Sequence, residues 1–234
     1  MKYFALIDPG LSPGAVNKLK KFDIEPVRVP ATGLVDSPVA GHPDLQVFLN
    51  NGNAFVHPGI DRNFIRKISQ FCNVTFGSTK LTRTYPGDIA YNIAVTGDTA
   101  FHLKNETDPV IKEYFVTNGI TLAHVKQGYT KCSTLIVDDK SIITADKSIN
   151  ETAIKNGFAS LLITPGYVNL PGYKYGFLGG ASGRFRNMIF FTGNIDSHPD
   201  RERIYSFIND RGLTVELLSD EPAYDAGSLL ISSY

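Results

Sequence analysis

Cys132 is the residue whose type and neighbours best fit a reacting centre. It directly follows Lys131, and Lys126 stands nearby in the sequence. A lysine ammonium that lies close to a thiol lowers the pKa of that thiol from about 8.5 and so produces the nucleophilic thiolate. His42 is the candidate acid or base for such a reaction. We predict Cys132 and His42 as catalytic residues; the alternative is a small buried cysteine that serves packing alone.

Several polar residues that each stand just before a predicted strand could hold a charged ligand. Carboxylates among them would bind a planar cation through paired, charge-assisted hydrogen bonds. Titratable groups that crowd into one cavity are also the usual physical mark of a functional site. The predicted substrate-binding residues are Asp44, Asp88, Tyr129, Lys131, Gly180 and Asp225.

Two His-Pro-Asp sequences raise the question of a metal site: His42-Pro43-Asp44 and His198-Pro199-Asp200. The second is explained as a helix start, where Pro and Asp are favoured by capping and by the helix dipole. The run Gly179–Gly183 matches neither a phosphate-binding loop nor a dinucleotide-binding turn. We therefore predict no metal and no cofactor.

Composition describes an ordinary globular chain of 234 residues, with 23 basic and 23 acidic side chains. Balanced charge gives no bulk attraction to nucleic acid or to anionic lipid, so neither partner is predicted. Cys72 and Cys132 lack the spacing of a zinc ribbon or a disulfide scaffold, which favours reduced thiols. No apolar run approaches the roughly 18 residues that span a bilayer. We expect one cytoplasmic domain over residues 1–234.

Strand-like segments rich in Val, Ile, Phe and Tyr recur along the chain. Most open a hairpin, and a helix and then another strand follow each hairpin. Ser148 and Ser197 are the predicted caps of the two last helices, because each has an acidic residue three positions later. The unit strand, strand, helix, strand therefore occurs about five times. The first strand-like segments of the five units are Tyr3–Ile7, Leu45–Leu49, Ile89–Val95, Ser133–Val137 and Met188–Phe191.

The first unit lacks its leading strand, and the C-terminus carries a spare one at Gly227–Ser233. Pairing this strand with Tyr3–Ile7 leaves no sheet edge open, which predicts an α/β propeller of five pseudo-symmetric blades closed by the C-terminal strand. In such a ring, the residues before the leading strands converge on one mouth of an axial channel. A small ligand is expected at that mouth.

The pattern resembles the pentein superfamily, the five-bladed α/β propeller of arginine deiminase, dimethylarginine hydrolase and the amidinotransferases. The ribosome anti-association factor shares that fold without being an enzyme. Within the superfamily, the chain is similar to a bacterial family that has the guanidine-modifying-enzyme fold and no assigned reaction. The segments that carry this likeness are His42-Pro43-Asp44, Lys126–Ser133 and Tyr175–Gly183.

The resemblance also implies site residues, with two departures. Asp88, in Pro86-Gly87-Asp88-Ile89, matches the Gly-Gly-Asp-Val stretch whose carboxylate holds the substrate guanidinium in the arginine enzymes. Tyr129 stands where their fourth unit opens with a catalytic histidine. Leu230 stands where their final strand carries the nucleophilic cysteine. These departures argue against arginine deimination by the usual arrangement.

Two functions from different classes remain open. The first is a hydrolase- or transferase-like enzyme that acts on a small guanidino or amide compound bound in the axial channel. The second is a non-catalytic module that binds a small molecule in the same channel or a protein on the outer face. Residue types alone leave the oligomeric state and the presence of catalysis undecided.

Overall fold

A computed structural model describes residues 1–234, and its strands form five three-stranded sheets. In every sheet, the middle strand is antiparallel to the leading strand and parallel to the last one. The sheets contain β15 (Leu230–Ser233), β1 (Tyr3–Ile7) and β2 (Ile24–Arg28); β3 (Val47–Asn50), β4 (Asn53–Val56) and β5 (Asn73–Phe76); β6 (Ala94–Thr96), β7 (Thr99–His102) and β8 (Thr121–His124); β9 (Thr134–Asp138), β10 (Ser141–Thr144) and β11 (Ala159–Leu162); and β12 (Ser182–Phe185), β13 (Met188–Phe191) and β14 (Thr214–Leu217).

Five helices of seven to nine residues connect the middle strand of each sheet to its last strand. They are α1 (Pro13–Lys21), α3 (Arg62–Ile68), α4 (Pro109–Thr117), α6 (Lys147–Lys155) and α7 (Arg201–Asn209). Two single-turn helices, α2 (Pro43–Gln46) and α5 (Thr130–Ser133), precede the leading strands β3 and β9. Short 3₁₀ turns occupy Ser37–Val39 and Lys104–Glu106. None of these helices is long enough and apolar enough to cross a membrane.

The C-terminal strand completes the first sheet, as the sequence predicts. β15 pairs antiparallel with β1, and Leu6 lies opposite Leu230. Among the leading strands, β15 contacts β3 and β12, and β9 contacts β6 and β12. The leading strands therefore face a common axis, and the fold is the predicted five-unit α/β propeller of the pentein type.

Both predicted serine caps are wrong. Helix α6 begins after Asp146, whose Oδ1 accepts a hydrogen bond of 2.9 Å from the Ile149 amide. Helix α7 begins after Asp200 rather than Ser197. In α6, a carboxylate accepts hydrogen bonds from the first-turn amides as well as a serine hydroxyl does. In α7, the Asp200 side chain accepts from the Thr164 amide and from Arg203 instead, and its charge interacts favourably with the helix dipole.

The third leading strand is shorter than predicted. It begins at Ala94 instead of Ile89, and the residues before it form turns. The imidazole of His102 contacts the Ile89 carbonyl oxygen at 3.1 Å, so a side chain takes the place of a strand partner there. The turns direct the Asn92 side chain toward the neighbouring unit, where it contacts α5.

Each helix is held to its sheet by a small apolar face. In α6 that face consists of Ile149 and Ala153, which pack in one buried cluster with Phe101 of the preceding sheet and Ile142 of their own sheet. Full burial of an isoleucine side chain contributes about 1.5–3 kcal/mol. Because these clusters join neighbouring units, they fix the rotation of one blade against the next and so set the positions of the leading strands.

Candidate functional site

The segments before three leading strands meet at one end of the propeller axis. Asp44 lies in α2, whose first position is proline, and Cys132 lies in α5. Asp225 lies in the segment that leads into β15. Single-turn helices fit here because their short length lets the chain turn directly from loop into strand while the side chains point to the axis. All three residues are buried.

A continuous hydrogen-bonded group, which we term the central network, lies at this end of the axis. The Asp44 carboxylate oxygen Oδ2 accepts hydrogen bonds from the Cys132 thiol (3.0 Å) and the Ser228 hydroxyl (2.7 Å). The Lys131 Nζ donates to Ser228 Oγ at 3.1 Å. The Asn92 Nδ2 donates to Cys132 Sγ at 3.2 Å. Segments distant in sequence thus contribute to one site.

Asn92 and Ser228 are members of the network that sequence reasoning missed. Asn92 Oδ1 accepts from the backbone amides of Lys131 (2.8 Å) and Cys132 (3.3 Å), which fixes the first turn of α5. Ser228 adopts a positive φ of 65°, an unusual backbone conformation for a residue other than glycine. Ser228 follows a glycine just before the final strand, and this was the only sequence signal available for it.

Asp44 has one oxygen without a partner. Its side chain is almost fully buried, Oδ2 carries the two hydrogen bonds of the network, and Oδ1 has none. Buried polar atoms are hydrogen-bonded in the great majority of cases, so each exception calls for an explanation such as a missing ligand. Oδ1 can therefore accept a hydrogen bond from a donor outside the chain, whether a water molecule or a ligand.

Asp225, unlike Asp44, accepts backbone hydrogen bonds through both of its carboxylate oxygens. Its Oδ2 accepts from the Phe177 amide at 2.9 Å, and its Oδ1 accepts from the Gly227 amide at 3.0 Å. Burial raises the pKa of this carboxyl group, while the nearby His42 lowers it. The His42 Nδ1 lies 3.8 Å from Asp225 Oδ1. Both carboxylate oxygens are thus used to hold the chain, and His42 lies beside them.

Position 180 requires glycine, because a Cβ there would overlap the Asp225 carboxylate. Its amide donates to the Cys132 carbonyl oxygen at 2.8 Å, and its carbonyl oxygen accepts from the Ser228 amide at 2.8 Å. Gly180 thus connects the Asp225 segment, the Ser228 segment and α5, rather than offering its own surface to a ligand.

We expect Gly180→Ala to destabilise the fold by about 1–3 kcal/mol, because overpacking of a filled site forces neighbouring groups to move. Chemical denaturation monitored by circular dichroism would measure the free energy of unfolding. Gly14→Ala is the matched control: a Cβ at Gly14, in α1, meets nothing closer than 3.9 Å. That control should stabilise the helix by about 0.5–1 kcal/mol. Equal free energies for the Gly180→Ala variant and the parent would contradict the packing role.

Asp88 and Tyr129 form a separate pair. The Tyr129 hydroxyl donates to Asp88 Oδ2 at 2.7 Å, and Asp88 Oδ1 is buried without a partner. The ring of Tyr85 packs against that of Tyr129 with centroids 5.6 Å apart. Burial raises the pKa values of both members of the pair. The structure thus brings Asp44, Lys131, Cys132 and Asp225 together around the axis and places Asp88 with Tyr129 in a pair of its own.

A cavity of about 350 Å³ runs along the axis. Asp44 and Lys131 line it at the strand-start end, where the surroundings are buried. Exposed lining residues, such as Asn51 and Arg186, lie at the opposite end, where the leading strands finish. All five leading strands contribute lining residues, among them Val47, Val95, Ile136, Ser182 and Leu230. The cavity therefore opens at the strand-end face, opposite to the mouth that the sequence predicted.

Loops cover the strand-start face. The Tyr173 hydroxyl donates to Asp36 Oδ2 at 2.8 Å, and the Arg83 Nε donates to the Gly33 carbonyl oxygen at 3.0 Å. A side chain at Gly172 would overlap the ring of Pro38. Three loops, around residues 31–41, 80–88 and 165–178, are thus joined across this face, which is why the predicted mouth is closed.

The surroundings of Cys132 raise its pKa well above the ordinary value of a thiol. Burial is the largest cause, and the carboxylates of Asp44 and Asp225 add to it. Lys126 is exposed, and the Lys131 Nζ donates to Ser228. The net pKa shift of the thiol is therefore opposite to the lowering that nearby lysines were predicted to cause, because burial and two carboxylates outweigh any contribution of Lys131.

Iodoacetamide is expected to leave Cys132 unmodified in the folded protein at pH 7, because the thiolate fraction is very small and the side chain is buried. Cys72, whose pKa burial raises to about 11, should also react slowly. Peptide mass spectrometry before and after denaturation would measure both sites. Rapid alkylation of Cys132 alone in the folded chain would contradict this description of the site.

Three residues at this end of the axis also carry donor atoms that suit a metal ion. Ligand atoms of His42, Asp44 and Cys132 lie within 4.8 Å of one another, and nitrogen, oxygen and sulfur are all zinc ligands. The Cys132 thiol already donates a hydrogen bond of 3.0 Å to Asp44 Oδ2. A metal would have to displace that proton, because only the thiolate binds metal.

Solved structures that are similar to this chain include an amidinotransferase, a dimethylarginine dimethylaminohydrolase and an agmatine deiminase. An amidinotransferase of the saxitoxin biosynthetic pathway from Microseira wollei has a TM-score of 0.56 at 10% identity, over 92% of this chain and 88% of that chain. Dimethylarginine dimethylaminohydrolase from Pseudomonas aeruginosa, complexed with citrulline, has a TM-score of 0.58 at 10% identity, over 100% and 98%. The agmatine deiminase of C. jejuni has a TM-score of 0.53 at 10% identity, over 93% and 86%. The resemblance to the pentein superfamily is thus confirmed at the level of the fold.

Sequence comparison narrows the assignment. No curated protein matches the chain. The model of a protein family described as "Family of unknown function (DUF6873)" matches residues 6–230, which is nearly the whole sequence. The chain therefore belongs to the DUF6873 family and has the fold of the penteins.

Proposed function

We propose that the protein binds a small guanidino or amide compound in its axial cavity and acts on it as a hydrolase- or transferase-like enzyme, with Cys132 as nucleophile. One observation carries this proposal: Asp44 lines the cavity, has a free buried oxygen, and accepts a hydrogen bond from the Cys132 thiol at 3.0 Å through its other oxygen. A cation on Oδ1 would stand beside the sulfur.

Charge supports a cationic ligand. Two carboxylates, Asp44 and Asp225, lie beside a single amine, that of Lys131, and burial lowers the pKa of this amine. A cationic ligand would add a second positive charge next to the two carboxylates. A positive ligand on Asp44 would offset the carboxylate charge that raises the pKa of Cys132. Binding would therefore favour the thiolate only when the reacting carbon is present. His42, next to Asp225, remains the proposed acid or base for the incoming water or acceptor amine.

The proposed reaction begins with transfer of the thiol proton and attack of Cys132 Sγ on the central carbon of the guanidinium. The carbon–nitrogen bond to the departing amine then breaks, and the amine takes up a proton. The product is a covalent thiouronium on Cys132. Water attacks the same carbon in a hydrolase, or an acceptor amine attacks it in a transferase, and the thiol leaves with one proton.

Asp88 and Tyr129 are the second part of the proposed binding set. Asp88 has its own free oxygen, and Tyr129 holds the other one at 2.7 Å. In the arginine enzymes that this chain resembles, the matching carboxylate holds the guanidinium. We place the ligand at Asp44 because Asp44, and not Asp88, lines the axial cavity.

The second candidate function is a binding module without turnover. The raised pKa of Cys132 favours it, because a protonated thiol is a poor nucleophile. The two functions share the ligand and differ in whether a covalent thiouronium forms on Cys132.

Calorimetry with L-arginine, agmatine and L-citrulline would test binding, since citrulline carries a neutral urea in place of the guanidinium. The proposal expects binding of at least one of the two guanidines, and much weaker binding of citrulline. Release of ammonia or urea would report turnover, and Cys132→Ser should abolish it while Cys72→Ser should not. Binding without turnover would favour the binding module, and absence of binding by both guanidines would overturn the proposal.

Ligand access should depend on the strand-end opening. Ser232 lines the cavity near this end and is partly buried, so an indole in Ser232→Trp would narrow the passage. We expect calorimetry to show guanidine affinity at least about tenfold lower, a loss of 1.4 kcal/mol or more. Ser206→Trp, at an exposed position of α7, is the matched control. Unchanged affinity in Ser232→Trp would show that the ligand does not enter through this end.

A further inference from the structure

The proposed reaction needs a group that takes a proton from the thiol and returns one to the departing amine. Tyr129, at the start of the fourth unit, donates its hydroxyl to Asp88 and stands outside the central network. Lys131 lies in the same segment, in α5, and its side chain lines the axial cavity. The Lys131 amine is therefore within reach of both the central network and any ligand in the cavity.

An unbroken series of short contacts joins Lys131 to Cys132. The Lys131 Nζ lies 3.1 Å from Ser228 Oγ, and Ser228 Oγ lies 2.7 Å from Asp44 Oδ2. The same Oδ2 lies 3.0 Å from Cys132 Sγ. Each distance is within hydrogen-bonding range, or within the slightly longer range of sulfur. These contacts form a continuous hydrogen-bonded path for a proton from Cys132 Sγ to Lys131 Nζ.

We propose that Lys131 is the acid–base group of this site and that Ser228 is the positioning residue that relays protons between Lys131 and the Asp44–Cys132 pair. This proposal rests on the proposed function for its reaction, but its test needs no substrate.

In the proposed relay, Lys131 starts in its neutral form and the Ser228 hydroxyl turns from Asp44 Oδ2 toward Lys131 Nζ. The thiol proton of Cys132 then moves to Asp44 Oδ2 and on to Ser228 Oγ, while the hydroxyl proton of Ser228 moves to Nζ. The result is a thiolate and an ammonium, with Ser228 and Asp44 in their original protonation states. When the carbon–nitrogen bond of the ligand breaks, the Lys131 ammonium gives its extra proton to the departing amine. Lys131 is then neutral again.

The surroundings of Lys131 suit an amine that cycles between charged and neutral forms. Burial lowers its pKa, while the charges of Asp44, Cys132 and Asp225 act in the opposite direction. The other charged groups that line the cavity, Arg184 and Arg186, belong to β12 and the turn that follows it, at the open end.

The conformation of Ser228 supports a specific use of its hydroxyl. Its φ of 65° is a strained backbone conformation for a residue other than glycine, and the side chain is fully buried. Glycine would adopt this backbone without strain. A serine here therefore pays conformational energy to place a hydroxyl between Lys131 and Asp44.

Cys132 reactivity toward methyl methanethiosulfonate, a small neutral probe, would test the relay across pH 6–10 in a Cys72→Ser background. The reaction rate follows the thiolate fraction. A variant that raises the pKa of the Cys132 thiol by about 1 therefore lowers the rate about tenfold at a given pH. We expect Lys131→Met to react at least about tenfold more slowly at pH 8. Ser228→Gly should react between about twofold and tenfold more slowly, the effect of one hydrogen bond.

Matched controls are available in the same region. Lys126→Met removes an exposed lysine from the same segment, and Ser133→Ala removes a buried hydroxyl that has no hydrogen-bond partner. Both should react like the background protein. Lys131→Met that reacts as fast as the background would overturn the proposal.

A second measurement on the unaltered network covers the case in which Lys131→Met fails to fold. In the Cys72→Ser protein, infrared spectroscopy follows the S–H band of Cys132, and ¹⁵N NMR follows the Lys131 amine. A coupled pair titrates over one common pH range. Independent ranges would overturn the relay. Coupling in a protein that binds neither arginine nor agmatine would support the relay and reject the guanidine ligand, so the two proposals fail separately.

Discussion

Asp44→Asn is expected to weaken guanidine binding by at least about 30-fold. The carboxylate is almost fully buried, and its free Oδ1 is the atom proposed to meet the ligand cation. Removing one partner of a buried, hydrogen-bonded charge pair costs about 2–5 kcal/mol. Asparagine has the same shape, so the comparison removes charge without removing volume. Calorimetry with L-arginine and agmatine measures the change in affinity.

A surface aspartate provides the control for this experiment. Asp23 is exposed and adopts a φ of 58°, a conformation that asparagine tolerates. Asp23→Asn should leave affinity unchanged. Thermal unfolding of both variants must first show that they are folded. If folded Asp44→Asn binds guanidines as tightly as the parent, Asp44 is not the cation acceptor and the ligand must be sought at Asp88.

Stability is expected to fall steeply in mild acid because of His102. Burial lowers its pKa from 6.5 to about 4. The unfolded chain therefore binds the proton first as pH decreases, so the stability contributed by neutral His102 is complete above pH 6.5 and is lost as pH falls toward 4. A shift of this size corresponds to about 3 kcal/mol. Urea denaturation at several pH values would measure it.

The histidine hydrogen bonds explain why protonation is unfavourable. The His102 Nδ1 lies 2.7 Å from Thr107 Oγ1, and its Nε2 lies 3.1 Å from the Ile89 carbonyl oxygen. One nitrogen donates and the other accepts, and a second proton would remove the acceptor. His102→Gln should reduce the dependence of unfolding free energy on pH between 6.5 and 4. His124→Gln, at an exposed position, should retain it, and equal pH dependence in the two variants would contradict the assignment.

The surroundings of Cys132 make its proposed activation conditional. A raised thiol pKa disfavours oxidation and alkylation. A cation on Asp44 would remove part of the cause of that shift. Under the proposed function, the thiol therefore becomes reactive only when the ligand brings positive charge, which links the two candidate functions.

Much of the fold could be predicted because it depends on local patterns that repeat. Alternating strand segments, hairpin turns and amphipathic helices each leave a signal in a short stretch of chain, as in Ser141–Thr144 or Ile204–Ile208. Each pattern is weak alone, but its recurrence at similar intervals in five units makes the prediction of the repeat stronger. Element boundaries were less predictable, since the third leading strand starts at Ala94 only because His102 takes the Ile89 carbonyl oxygen.

The candidate site was predictable in part. Asp44, Lys131 and Cys132 have reactive side chains next to predicted strands, and the propeller order places such segments on one axis. Ser228 and Asn92 have common side chains with no special spacing, and they became visible only through their contacts. The direction of the Cys132 pKa shift also depends on burial and on carboxylates from other units, which local sequence does not reveal.

The sequence by itself determined the repeat, the number of units and the pairing of the last strand with the first, because hydrophobic periodicity and turn residues act within a few positions. Tertiary structure alone decided three properties. The cavity opens at the strand ends because loops around residues 31–41, 80–88 and 165–178 join across the other face. The thiol is protonated and Ser228 bridges Lys131 to Asp44 because electrostatic and hydrogen-bond energies depend on distances between segments far apart in the chain.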